Sequence, residues 1–259
     1  MKEIKLIYRY FSNSLQQAIF NIPIFSIFLV SKVIRVALFA VFIYFMLSGL
    51  SNIGGYSRDQ MIIFYLIFNL IDTSAQLLFR EVYRFRPLLI SGGFDMVLVK
   101  PFNPLIRVMV GGPDFIDFAM LIILLSTISY YIVFVTKIEI LSFIPFLLLI
   151  VNSLIIAAAF HIFVLAIGIL TLSVDHLVMI YRDLTALARI PIDVYTQPVR
   201  SLLTFIIPIG IMFTFPAKAL FGLLNWQLIL TSFVFGLVSL FLSLKFWNYS
   251  LKYYQSASS

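Results

Sequence analysis

Six stretches of this chain are long and apolar enough to cross a bilayer, and that pattern confines the fold more than any single motif. A helix needs about 20 predominantly apolar residues to cross the hydrocarbon core. The candidates are Ile22–Leu50, Gln60–Phe79, Phe115–Val135, Ile140–Leu172, Val199–Phe215 and Trp226–Trp247. The first contains Lys32 and Arg35, and the fifth is broken by Pro208. The fourth is too long for one perpendicular crossing, so it must tilt, project or bend near Pro145. Composition closes off a water-soluble alternative. Hydrophobic residues are 62% and charged residues 11% of 259, against roughly 45–50% and 25% in soluble domains. The expected class is an all-α membrane protein: six transmembrane helices in one transmembrane domain, residues 1–259.

Lys and Arg are distributed unevenly along these spans. With both termini inside, inner segments hold thirteen of them and outer segments only Arg58, Lys137 and Lys218. This asymmetry predicts cytoplasmic termini in a cell inner (plasma) membrane. It also accounts for the net charge of +7 without invoking nucleic acid. No short apolar core with a small-residue cleavage site follows Lys2, Lys5 and Arg9, so a signal peptide is not expected. Instead Ile4, Ile7, Tyr8, Phe11, Leu15 and Ile19 recur at helical spacing, and residues 3–20 are expected to form an interfacial amphipathic helix. Ser57-Arg-Asp-Gln60 has the form of a capping box at the start of span two. Trp226 and Trp247 flank span six where aromatic belts belong, and Ser256–Ser259 is expected to fray.

Segment 173–198 allows two readings. It carries Asp175, Arg182, Asp183, Arg189 and Asp193, while Leu177, Ile180, Leu184, Leu187 and Ala188 repeat at helical spacing. Hydropathy favours an inner-surface helix. The alternative is a short polar fifth span lining a cavity, with 198–216 as a re-entrant hairpin on the outer side.

Catalytic patterns are missing from the sequence. It has no cysteine, no Gly-x-x-x-x-Gly-Lys-Ser/Thr loop, no His-Glu-x-x-His and no Gly-x-Ser-x-Gly elbow. No catalytic residue and no metal site is expected, and the chain does not bind ATP through a P-loop. The intramembrane polar residues Lys32, Arg35, Asp72 and His161 need partners or water. Lys32 and Arg35 share a helix face. An Arg35–Asp72 pair is the favoured expectation, with substrate contact or snorkelling as alternatives. For His161 a hydrogen-bonded helix–helix contact is favoured over a proton relay.

The inner loop 80–114 is the richest stretch. Arg80-Glu-Val-Tyr-Arg-Phe-Arg-Pro87 alternates basic and aromatic residues, Gly92 and Gly93 permit a turn, and Pro101 and Pro104 stop regular structure. Between these breaks lies a short apolar element, Phe94–Val99. Such an element needs a cover, either a membrane surface or a partner's groove.

Gly92-Gly-Phe-Asp-Met-Val-Leu-Val-Lys-Pro-Phe-Asn-Pro104 resembles the "G-x-L-D-x-x-L-x-K-P-x-N-P" stretch of ABC-2 type permeases, and more narrowly of DUF990-like export permeases. Ile53-Gly-Gly-Tyr56 and Arg189-Ile-Pro-Ile-Asp-Val-Tyr195, with Leu202-Leu-Thr-Phe-Ile-Ile-Pro208 and Phe215-Pro-Ala217, are similar to further stretches of that family. The resemblance implies an ABC-2, type V exporter-like fold. It implies two copies of a cytoplasmic ABC ATPase carrying ATP and Mg, and a second six-span permease, either a relative or the same chain. By the same resemblance, loop 80–114 carries a coupling helix. Phe94, Asp95, Met96, Val97, Leu98 and Val99 then dock into the ATPase, and Arg84, Arg86 and Lys100 set the charge register. The implied role is the permease subunit of an ATP-driven exporter of a hydrophobic or amphipathic substrate. An ion-coupled secondary transporter, an embedded enzyme and a non-transporting scaffold are the rivals.

Overall fold

A computed structural model describes residues 2–49, 52–136 and 138–255. Lys137 and the expected frayed tail, Ser256–Ser259, lie outside the described residues, as do the side chains of Ile4, Ile7 and Ile19.

Among the described residues the fold is helical, with one isolated bridge between Ile53 and Tyr56. Five helices are long and apolar enough to cross a membrane. They are α2 (Ile22–Met46), α3 (Arg58–Phe79), α7 (Phe115–Phe134), α8 (Phe143–Thr171) and α12 (Trp226–Lys252). A helix α1 (Lys2–Phe20) precedes them. Three short helices, α4 (Phe85–Ile90), α5 (Gly93–Leu98) and α6 (Pro104–Val110), lie between α3 and α7. Helix α9 (Val174–Ala186) follows α8, and a bent pair, α10 (Val199–Ile206) and α11 (Gly210–Leu220), precedes α12.

The start of α3 is capped in both directions. Gln60 N–H donates to Ser57 Oγ at 3.4 Å, and Ser57 N–H donates to Gln60 Oε1 at 2.9 Å. From that cap α3 runs through the middle of the molecule, buried at nearly every position from Met61 to Ile71. Helices α8 and α12 lie side by side because a small residue lets them approach. Asn152 Nδ2 donates to the Ser232 carbonyl at 3.0 Å, and a Cβ on Gly236 would sit 2.2 Å from Asn152 Oδ1. Pro145 falls in the first turn of α8, where a missing N–H breaks no helical bond, so it does not act as the expected bend. Trp247, expected in an aromatic belt, is instead buried against Phe85 and Phe94, whereas Trp226 is exposed.

Two ends of the bundle can be told apart by contact. At one end Trp247 meets Phe94, and Arg86 bridges Asp175 at 2.9 Å. Helix α1 lies by this end, with Phe11 5.3 Å from Phe115 and Arg107 over the Tyr10 ring. At the other end Tyr56, Asp193, Lys218 and Arg200 meet. Segment 175–193 therefore runs from one end to the other, antiparallel to α8. His161 stacks on Tyr181 at 4.7 Å, and Gly168 packs against Val174. Of the two readings open for 173–198, this placement fits the segment packed along the bundle and not the inner-surface helix. The physical reason is its composition: the face that packs on α8 is apolar, while the opposite face keeps Arg182, Asp183 and Arg189 away from the core.

The bent pair does not run end to end. Its arms meet at 82° around Pro208, and its two extremities are held by one carboxylate, since Asp193 pairs with Arg200 on α10 and with Lys218 on α11. A segment whose ends share an anchor has returned to where it started. The residues expected to form span five are thus a hairpin, with its apex beside α8 and α12.

Candidate functional site

Three places in the structure bear on function. The first is the short helical stretch 80–110 at the Phe94 end. Gly92, at φ +70°, makes the turn that starts α5. Phe94 is fully buried, edge-on to Phe85 at 5.1 Å and to Tyr254 at 5.2 Å. Val97 is buried one turn later. Tyr254 Oη donates to Asp95 Oδ1 at 2.9 Å, and burial together with that bond pushes the phenol up to about 12. Met96 and Val99, at 67% and 83% exposure, point the other way with Leu98 and Lys100. The element expected to dock as a whole is therefore two-sided. Phe94, Asp95 and Val97 fasten it to the bundle, and Met96, Leu98 and Val99 form the outward crest. Arg84 pairs with Glu81 and Arg86 with Asp175, so both are engaged within the chain.

The second place is the ionic network where α2, α3 and α7 meet. Asp117 is fully buried and accepts from Lys32, and from Arg80 at 3.1 Å. Arg80 also reaches Asp114 at 2.9 Å. Lys32 thus finds its partner on α7 and not on α3. Asp117 was hidden in the sequence, because an acid in a first helical turn reads as a dipole partner. The charge of Lys32, some ten residues into an apolar helix, was the signal that a carboxylate had to be near.

The third place is a cavity of about 120 Å³ between α2, α3 and α9. Arg35 and Asp72 both line it, but the direct pair expected between them is not formed. Asp72 instead accepts from Gln76 at 2.7 Å. Arg182 and Arg189, one seven-residue step apart on the segment that the surface-helix reading had placed outside the bundle, complete the basic wall. His161 lies elsewhere, buried among Phe79, Tyr83 and Tyr181, with Nδ1 2.8 Å from the Ala157 carbonyl. Its hydrogen bond therefore falls within its own helix and not across to another as expected, and among the described residues Nε2 has no hydrogen-bond partner.

At the opposite end, Tyr56 Oη donates to Asp193 Oδ2 at 2.5 Å, and burial and this bond push its ionisation well up. Gly54, at φ +61°, lies against Val194, where a Cβ would meet Val194 Cγ2 at 3.1 Å. Ile53-Gly-Gly-Tyr56, Arg189–Tyr195 and the Pro216–Lys218 stretch of α11, far apart in sequence, converge on Asp193.

No curated relative matches the sequence. The profile of the family described as ABC-2 family transporter protein matches residues 33–258, from the middle of α2 to beyond α12. The chain is a multi-pass membrane protein, and it belongs to the ABC-2 transporter family as a permease component of an ABC transporter.

Proposed function

We propose that this permease crosses the membrane six times, with both termini cytoplasmic, and moves a hydrophobic or amphipathic substrate outward on energy from ATP. The six passes are the five long helices and the polar segment 174–194, with α10–α11 as a re-entrant hairpin on the outer side. Under that topology Arg182 and Arg189 leave the inner ledger and Arg200 moves to the outer one. Ten Lys and Arg then stand inside, against Arg58, Lys137, Arg200 and Lys218 outside. The asymmetry is smaller than the sequence implied, but its sign is the same. Helix α1 lies in the inner interface.

ATP and Mg sit on two cytoplasmic ATPase subunits, and a second six-span permease completes the membrane unit. The observation that carries this reading is the two-sided helix α5. An apolar crest of Met96, Leu98 and Val99 is held outward by the buried anchors Phe94 and Val97. A rigid foot with an apolar sole suits transmission of motion from a docked partner, since packed aromatic anchors move as a body. Arg84, Arg86 and Lys100 flank it and set its charge register.

The test is co-purification from native membranes in mild detergent, read by mass spectrometry. An ATPase with a P-loop is expected to accompany the chain and to be lost from Met96→Asp and Val99→Asp variants. Asp95 and Val97 are poor choices, since changing them loosens the foot itself. Recovery of the permease without any ATPase would overturn the reading.

A further inference from the structure

The cavity between α2, α3 and α9 has an unbalanced charge. Arg35, Arg182 and Arg189 line it against a single carboxylate, Asp72. Among the described residues none of the three guanidiniums is in ion-pair contact with an acid, whereas Arg58, Arg80, Arg84, Arg86, Arg107 and Arg200 are each so engaged. All three are exposed on the flank of the bundle, at the depth of Tyr65 and Asp72. A charge there costs several kcal/mol if it faces lipid, so this flank faces water or an anion. Arg182 also lines an adjoining cavity of about 210 Å³ with Gln76, Arg80, Tyr83 and Arg84. The basic wall thus continues toward the Phe94 end. Phe39, Tyr65 and Phe68 supply an aromatic wall beside the guanidiniums.

We infer that Arg35, Arg182 and Arg189 form an oxyanion site for the headgroup of an anionic amphiphile, and that the transported substrate is of this class. Three planar forks around one small space suit a phosphate-type group, which can take bidentate bonds from each. The volume admits a few waters or one such headgroup but not an acyl chain, which would lie along the aromatic wall. Asp72 does not fill the site, because it is held by Gln76 on its own helix. The inference rests on the permease reading above, but its test uses the chain alone. A missing ATPase would overturn that reading and leave the binding result standing.

The experiment is a calorimetric titration of the purified full chain in a neutral detergent. The probes are dodecyl phosphate, dodecylphosphocholine and inorganic phosphate. Dodecyl phosphate is expected to bind saturably and at least ten-fold more tightly than dodecylphosphocholine. Arg182→Gln and Arg189→Gln are expected to weaken it about ten-fold each, the equivalent of one charge-assisted hydrogen bond. Arg182→Lys, which keeps the charge and loses the fork, is expected to fall between parent and Arg182→Gln. Helicity and elution volume matching the parent separate loss of binding from loss of fold. Equal affinity for the two amphiphiles, or unchanged affinity in both Gln variants, overturns the site. Inorganic phosphate binding as tightly as dodecyl phosphate overturns the amphiphile. A dimer in the parent that becomes a monomer in the Gln variants at unchanged affinity overturns it too, because the arginines would then pair with a second permease.

Discussion

Each end of the bundle has a carboxylate that gathers two cations, Asp117 at one and Asp193 at the other, and the two are used differently. Asp117, with no exposed surface, ties α2 to α3 through Lys32 and Arg80. It locks long helices together. Asp193 ties a loop, Tyr56, to both extremities of the hairpin through Arg200 and Lys218. It holds a segment that does not cross. A buried ion pair contributes little net stability over an apolar substitute, but breaking one is costly because a charge is left behind. The first carboxylate therefore governs whether the bundle forms, and the second governs where the hairpin sits.

The largest effect expected from this contrast is at Asp117. Asp117→Asn leaves Lys32 and Arg80 without their buried partner and is expected to cost about 3–5 kcal/mol. It would show as loss of a monodisperse peak in detergent or a lowered unfolding midpoint. If the variant is as stable as the parent, the helix-locking role is wrong. Next comes Gly236→Leu, which drives a side chain into Asn152 and parts α8 from α12 at about 1–3 kcal/mol. It acts on packing away from both carboxylates, so it calibrates what a global loss looks like.

Asp193→Asn sharpens the comparison from the other side. Asp193 itself keeps 9% exposure where Asp117 has none, and Arg200, at 42%, can rehydrate, so a smaller cost of about 1–2 kcal/mol is expected. The signature is local: faster hydrogen exchange across 199–220, with α3 and α8 unchanged. Uniform acceleration over the whole chain would erase the distinction between the two ends. The smallest effect on stability belongs to Val99→Asp. At 83% exposure it is expected to shift unfolding by no more than about 0.5 kcal/mol, yet it should abolish ATPase association. Destabilisation comparable to Gly236→Leu would mean that the crest is packed rather than presented.

Local chemistry was legible in the chain. The cap of α3 follows from Ser57 and Gln60 alone, and the long helices follow from runs of apolar residues, because both depend on neighbours within a few positions. Partnership was not legible. Arg35 and Asp72 lie at plausible depths, but depth along a helix says nothing of azimuth: Asp72 turns to Gln76 on its own helix, and it is Lys32 that meets a carboxylate, on α7. Segment 173–198 stays open between two readings for a related reason. Hydropathy charges every arginine against a crossing, whereas a polar crossing is tolerated when its charges line a cavity. Its apolar stripe on α8 was visible, but what the other stripe faced was not.

By itself, then, the sequence determined that this chain lives in a membrane, that its helices are long, that its Lys and Arg favour one side and that 80–114 carries an apolar element between turns. Each of these depends on composition or on short-range geometry. Only the tertiary structure decided that Phe94 and Val97 turn inward while Met96 and Val99 turn outward. It alone decided that Asp193 closes the hairpin, and that three arginines from α2, α9 and the turn after α9 share one cavity. Those outcomes depend on which helix faces stand opposite one another. Facing is set by close packing over the whole bundle, where a single small residue such as Gly236 fixes how two helices approach.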